Sequence, residues 1–225
     1  MVNKTFVFLY PQSEIFNQEI EHGSVFFEDA NEEEKYAYFL YKMQSAKTEI
    51  EKNALIKEAK KDKADSFKPV YSEKLNSCIH HRYRKNGFSI VYAVLEDCQV
   101  SDVIKLHQTD KIIRVGLDSK EHRTKRDDGT YPYPDQDYII NQLIPVDVLR
   151  VAGFHMWDCV EKLARRAYER GIDVLVDEDL TELFPWRLKD PNFRVKKYLN
   201  ANSKNGAQTH FEVLIESRRN KPWLS

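Results

Sequence analysis

The segment VLRVAGFHMWDCVEKLARRAYERGIDVLVDED, residues 148–179, places one cysteine where a thiol can be made reactive. Cys159 follows an apolar run and Gly153, and stands in the first turn of a stretch with helical periodicity. Unpaired N–H groups in a first helical turn, together with the positive end of the helix dipole, favour thiolate over thiol. The same amides can hold an oxyanion. This is the equipment of a nucleophile that attacks a carbonyl. A second reading needs no chemistry. Free cysteine is among the most buried residue types, and a small side chain suits a tight strand-to-helix turn.

Such a turn needs a strand before it and a helix after it. DVLRVAGF supplies the strand. WDCVEKLARRAYERG supplies the helix, with Val160, Leu163, Ala164, Ala167 and Tyr168 on one face and Gly171 as its end. IDVLVDEDL follows as a buried strand. Upstream, TFVFLY (5–10) is a short β-branched and aromatic run stopped by Pro11, and FSIVYAVLED is almost continuously apolar. A strand apolar on both faces belongs inside a parallel sheet. KIIRVG (111–116) is a shorter strand, DYIINQL a short helix, and HFEVLIES (210–217) an edge strand. LTELFPWRL and RVKKYLNANSKNG read as short helices or turns.

Residues 31–66 are rich in helix formers and charge and read as one long helix or two. Tyr36, Phe39, Leu40 and Met43 give the first half an apolar stripe. Pro69 is expected to break this run, and SEKLNSCIHHRYRKNG to form a separate helix ended by Gly87. Strand–helix alternation in this order predicts one α/β domain over 1–225. Its expected form is a three-layer, Rossmann-like sandwich with a mostly parallel sheet of about six strands. A charged helical insertion occupies roughly 28–68.

Thirty-five basic and 36 acidic side chains nearly cancel. No bulk field exists to attract nucleic acid or an anionic membrane, so neither is expected as a partner. Cys78, Cys98 and Cys159 are odd in number and lack CxxC spacing. A disulfide framework and a structural zinc site are therefore not expected, and a reducing, cytoplasmic compartment fits best. MVNKTFVFLYPQSEIF reads as neither signal peptide nor membrane span. There is no phosphate-cradling glycine loop, GxSxG elbow or dinucleotide fingerprint.

In an open parallel sheet, ligands bind beyond the carboxyl ends of the strands. The residues expected there are 10–12, 96–98, 116–118, 153–159 and 177–179. GFHMWDCVEKLARRAYERGIDVLVDED resembles the active-site segment of the isochorismatase-like cysteine hydrolases, which include nicotinamidases and N-carbamoylsarcosine amidohydrolases. The family pattern is a glycine, a short turn, Cys-Val, a helix with alanines, a glycine, and an apolar strand with an acidic residue. It falls here on Gly153, residues 154–158, Cys159-Val160, Ala164 and Ala167, Gly171, and Asp177 or Asp179. CIHHRYRKNGFSIVYAV resembles the family's first helix and second strand. VFLYPQ resembles its opening strand, which normally ends in Asp-x-Gln. The likeness spans 4–185, interrupted by the helical insertion.

That resemblance implies a catalytic aspartate, lysine and cysteine, with an acyl-enzyme formed on the thiolate. Here Cys159 is kept and Tyr10 stands at the aspartate position. A phenol, with an ordinary pKa of about 10, is a poor base at neutral pH. Arg114 or Val115 aligns with the lysine, and Lys120 and Lys125 lie just beyond. Met156 replaces the usual turn threonine. Candidate substitutes for the base are Glu14, Asp97, Asp158 and His155. Tyr10, Gln12, Asp97, His155 and Trp157 are the expected substrate contacts.

Some family members bind a divalent ion through an Asp-x-His pair. LEDCQVSDVIKLHQTD offers Asp97, Cys98, Asp102 and His107 without that pair, so no metal or cofactor is expected. The adjacent His80 and His81 face different directions on a helix. The loop SKEHRTKRDDGTYPYPD reads as a solvated loop or as a lid with an anion contact. Two functions are then expected to compete. One is hydrolysis of a small amide or carbamoyl compound through Cys159. The other is a catalytically silent scaffold that binds a ligand or a protein, with 31–66 as a partner surface. The resemblance also implies homo-oligomers.

Overall fold

The computed structural model describes residues 2–17, 46, 48–181 and 220–224. Five strands form one wholly parallel sheet in the order β3-β2-β1-β4-β5. They are β1 (Lys4–Leu9), β2 (Ser89–Val94), β3 (Lys111–Arg114), β4 (Val148–Gly153) and β5 (Asp173–Thr181). The helices that lie wholly within the described residues are α1 (Glu49–Cys78), α2 (Ser119–Arg123), α3 (Gln136–Leu143) and α4 (Glu161–Glu169). The expected edge strand at 210–217, the short helices after β5, and the apolar stripe within 31–45 lie outside the described residues.

β1 is the central strand, and its alternation divides the core. Val7 and Leu9 join Val91, Ala93, Leu149 and Val151 on one face, covered by Ile139, Ile140 and Leu143 of α3 and by Leu163, Ala164 and Ala167 of α4. Phe6 and Phe8 join Ile90, Tyr92 and Ala152 on the other, covered by Phe16, by Tyr71 and Leu75 of α1, and by Ile79, Tyr83 and Phe154. Helices on both faces of a parallel sheet make the three-layer sandwich that the strand–helix alternation predicts.

Four local expectations are corrected. Pro69 does not end the helix. α1 runs from a capping box at Thr48 and Glu51 through Pro69 to Cys78. Proline removes one backbone bond at an exposed site, and burial of Tyr71 and Leu75 holds the helix beyond it. A π-helical turn (Ile79–Tyr83) and a 3-10 turn (Arg84–Asn86) then lead to Gly87, the expected terminator, at φ 77°. The loop after β3 contains α2, started by a capping box between Asp118 and Glu121. Tyr168 is about half exposed rather than part of the buried stripe of α4. Asp177 lies inside β5 rather than beyond it. Its carboxylate takes the Arg82 guanidinium at 3.0 and 3.1 Å and the Tyr83 hydroxyl, which ties the π-helical turn to the sheet.

Candidate functional site

The carboxyl ends of β1 and β4 meet at a very close approach. Leu9 pairs with Gly153, and the Phe154 N–H donates to the Leu9 carbonyl at 3.2 Å. A Cβ on Gly153 would lie 2.1 Å from that carbonyl oxygen, so only glycine fits. Gly153 has φ 118°, a region that side-chain-bearing residues rarely enter. Three residues later begins the π-helical turn Met156–Val160, from which α4 continues. Cys159 belongs to this turn and precedes the regular helix. The N–H groups of Asp158 and Val160 both donate to the His155 carbonyl at 3.2 Å. These two amides are therefore not free to hold an oxyanion, contrary to the expectation.

Tyr10 follows β1 directly, with its N–H donating to the Ala93 carbonyl at 2.8 Å. Its φ of 58° is left-handed, an uncommon conformation for a non-glycine residue. Its ring is 2% exposed. The Tyr10 hydroxyl and the Cys159 thiol are near enough for each to shift the other's protonation. A buried phenol thus stands beside the sulfur.

Burial governs the electrostatics. It pushes the Cys159 thiol up to about 11, against the opposing effect of the Tyr10 hydroxyl. The nearby Asp158 carboxylate raises it further and the Lys162 ammonium lowers it. Burial also raises the Tyr10 phenol well above its ordinary range, reinforced by Cys159 and Asp158. Tyr133 is pushed up to about 12, first by the neighbouring Asp158 carboxylate. Both Tyr10 and Cys159 are therefore neutral at physiological pH. The expected thiolate is not favoured, because loss of water outweighs the neighbouring charge.

The charges beside the sulfur come from Asp158 and Lys162, which form an ion pair at 2.5 Å. The Lys162 ammonium also stands 3.1 Å from the centre of the Tyr133 ring. His122 stacks on Tyr10 at 5.8 Å and meets Tyr133 edge-on at 6.1 Å. Lys162, Tyr133 and His122 thus stand close to Tyr10 and Cys159. The Asp158–Lys162 spacing of i,i+4 was the one sequence signal available for Lys162. Tyr133 and His122 belong to the loop that reads as a solvated loop or a lid at the strand ends, and the lid reading is the sequence signal for them.

The other expected site residues are placed elsewhere or held by other partners. Lys120 and Lys125 are exposed, and neither is among the charges acting on Cys159. The Glu14 carboxylate is paired with Arg123. Asp97 accepts from the Ser119 N–H at 2.9 Å and from the Ser119 hydroxyl, which holds its carboxyl below the usual range. It anchors the start of α2. His155 is exposed and its ring lies 6.0 Å from Phe154. The side chains of Met156 and Trp157 lie outside the described residues. Gln12 is 2% exposed, and both its amide nitrogen and its amide oxygen lack a hydrogen-bond partner. A buried amide with donor and acceptor both unfilled is costly unless a water or a ligand meets it.

Among the described residues, no group of three or more His, Cys, Asp or Glu side chains is arranged to hold a metal. None of the described helices is long and apolar enough to cross a membrane. No protein-family model and no curated protein sequence matches this chain.

Proposed function

We propose that the chain is an isochorismatase-like scaffold that binds at the carboxyl end of its sheet and does not turn substrate over. The contact between Tyr10 and Cys159 carries this reading. A cysteine hydrolase needs a thiolate and a base that accepts its proton. Here the thiol is buried and pushed up to about 11. Its neighbour Tyr10 is a phenol that is itself raised by burial. A proton has no acceptor in that pair near neutral pH.

Binding is supported by Gln12, two residues beyond Tyr10. Its buried amide offers one donor and one acceptor to a small polar ligand. The ring surfaces of His122 and Tyr133 and the charges of Lys162 and Asp158 line the same end of the sheet. The alternative, a protein partner through 31–66, falls partly outside the described residues.

Cysteine hydrolysis is the second reading. The placement of Cys159 after β4, with a cation and a carboxylate near it, favours it. Alkylation by iodoacetamide at pH 6, followed by peptide mass analysis, separates the two. Silent binding predicts a Cys159 that reacts only when the chain unfolds. Fast reaction of the native protein, slowed by a small carboxylate or amide, would establish the nucleophile and overturn the proposal.

A further inference from the structure

The segment 220–224 lies along the outer edge of β5, opposite β4. The Val176 N–H donates to the Trp223 carbonyl at 2.8 Å, and Val176 and Leu224 form one parallel bridge. The Leu224 N–H closes a turn onto the Lys221 carbonyl at 3.0 Å. Trp223 is 8% exposed and belongs to the buried cluster that contains Cys159, Val160 and Leu163. Its ring lies 5.7 Å from that of Tyr168 on α4. The Lys221 ammonium lies 2.5 Å from Glu161, two residues after Cys159, and both side chains are largely covered.

This short segment therefore grips two elements at once. Backbone bonds hold it to β5. The indole and the ammonium hold it to α4, the helix whose entry turn carries the thiol. Its hold on the sheet is one bridge, whereas β4 and β5 share a full ladder. Segments with few backbone bonds open at lower free energy than the core around them. Trp223 contributes a large apolar surface to the cluster, so its departure would leave that part of the core unfilled.

We infer that 220–224 is a strap that controls access to Cys159. Docked, it presses α4 against β5 and keeps the thiol covered. Released, it lets the entry turn of α4 move away from the sheet and exposes the sulfur while the other strands stay paired. This holds whether or not Cys159 is a nucleophile, so its test is separate from that of the proposed function.

The experiment uses the full chain and three variants: Trp223→Ala, Lys221→Glu, and the charge exchange Glu161→Lys with Lys221→Glu. Iodoacetamide labelling of each cysteine at pH 8 is timed by mass spectrometry beside urea unfolding of the same samples. In the parent, the docked strap keeps Cys159 labelling slow, at the rate set by strap release. In Lys221→Glu, which sets two carboxylates against each other, its labelling rises by about tenfold more than global destabilisation explains. The charge exchange brings the rate back toward that of the parent. Trp223→Ala gives the largest excess if it folds; otherwise the two charge variants carry the test. Cys159 labelling that tracks global unfolding in every folded variant would overturn the strap. So would failure of the charge exchange to restore protection.

Discussion

Replacing Gly153 by alanine tests the close approach of β1 and β4 on which the site's geometry rests. The added Cβ would lie 2.1 Å from the Leu9 carbonyl oxygen, 2.6 Å from its nitrogen and 2.9 Å from its carbonyl carbon. All three are backbone atoms of the central strand, so no side chain can swing aside. Holding alanine at φ 118° costs about 1–3 kcal/mol in conformation alone. Separating the strands also forfeits the Phe154 N–H to Leu9 bond, about 0.5–1.5 kcal/mol. Repacking around a displaced Leu9 adds to this, so the total should exceed about 4 kcal/mol, in the exceptional range for one substitution. Against a stability of about 5–15 kcal/mol, the variant should be marginally folded or unfolded. Gly171→Ala is the control. Its φ is 78° and nothing lies within 4 Å of the new Cβ, so it should cost only about 1–2 kcal/mol. Urea unfolding followed by far-ultraviolet circular dichroism measures both. A Gly153→Ala cost within about 1 kcal/mol of the control would show that β1 and β4 do not meet as closely as described.

Two further predictions concern buried ionisable groups. Because burial raises the Cys159 thiol from its ordinary 9.0 to about 11, the native state keeps a proton that the unfolded chain releases. The stability this group contributes is complete below about pH 9 and is lost as pH rises toward 11. Urea midpoints across that window should fall less steeply in Cys159→Ala than in the parent, and equal slopes would refute the assignment. The Asp110 carboxylate, 1% exposed, pairs with Arg84 at 2.5 and 3.0 Å and accepts from the His107 N–H at 2.9 Å. Asp110→Ala strands a largely covered guanidinium and should cost about 3–5 kcal/mol in urea unfolding, whereas a cost below about 1 kcal/mol would mean that water reaches Arg84 freely.

The sheet was legible in the sequence because its strands are apolar on both faces. VFL and VYAV have no polar face to dispute their burial, and the alanines of α4 mark the side that packs on them. Pro69 misled because proline propensity is local, while Tyr71 and Leu75 are held by partners distant in sequence. α2 was missed because five residues are too few for helical periodicity to appear, although Asp118 and Glu121 carry its capping box. Cys159 was correctly placed after β4, but the sequence spoke only of the helix start. The helix dipole and the Tyr10 hydroxyl argue for thiolate, whereas burial argues for thiol and outweighs them, and burial is visible only once the layers are assembled. The neighbours that matter most, Tyr133 and His122, come from a loop whose path follows from contacts spread along the chain.

The division of β1 between its two faces has a practical consequence for watching this protein move. Phe6 and Phe8 lie with a ring-rich layer in which Phe6 stacks on Tyr83 at 4.1 Å and Phe16 meets Phe154 edge-on at 5.2 Å. Val7 and Leu9 lie in a layer dominated by methyl groups. The ring protons of Phe6, Phe8, Phe16, Tyr83 and Phe154 will therefore report on the side of α1, and the methyl groups of Val7, Leu9, Leu149 and Val151 on the side of α3 and α4. Loosening of one layer can be timed independently of the other within a single molecule.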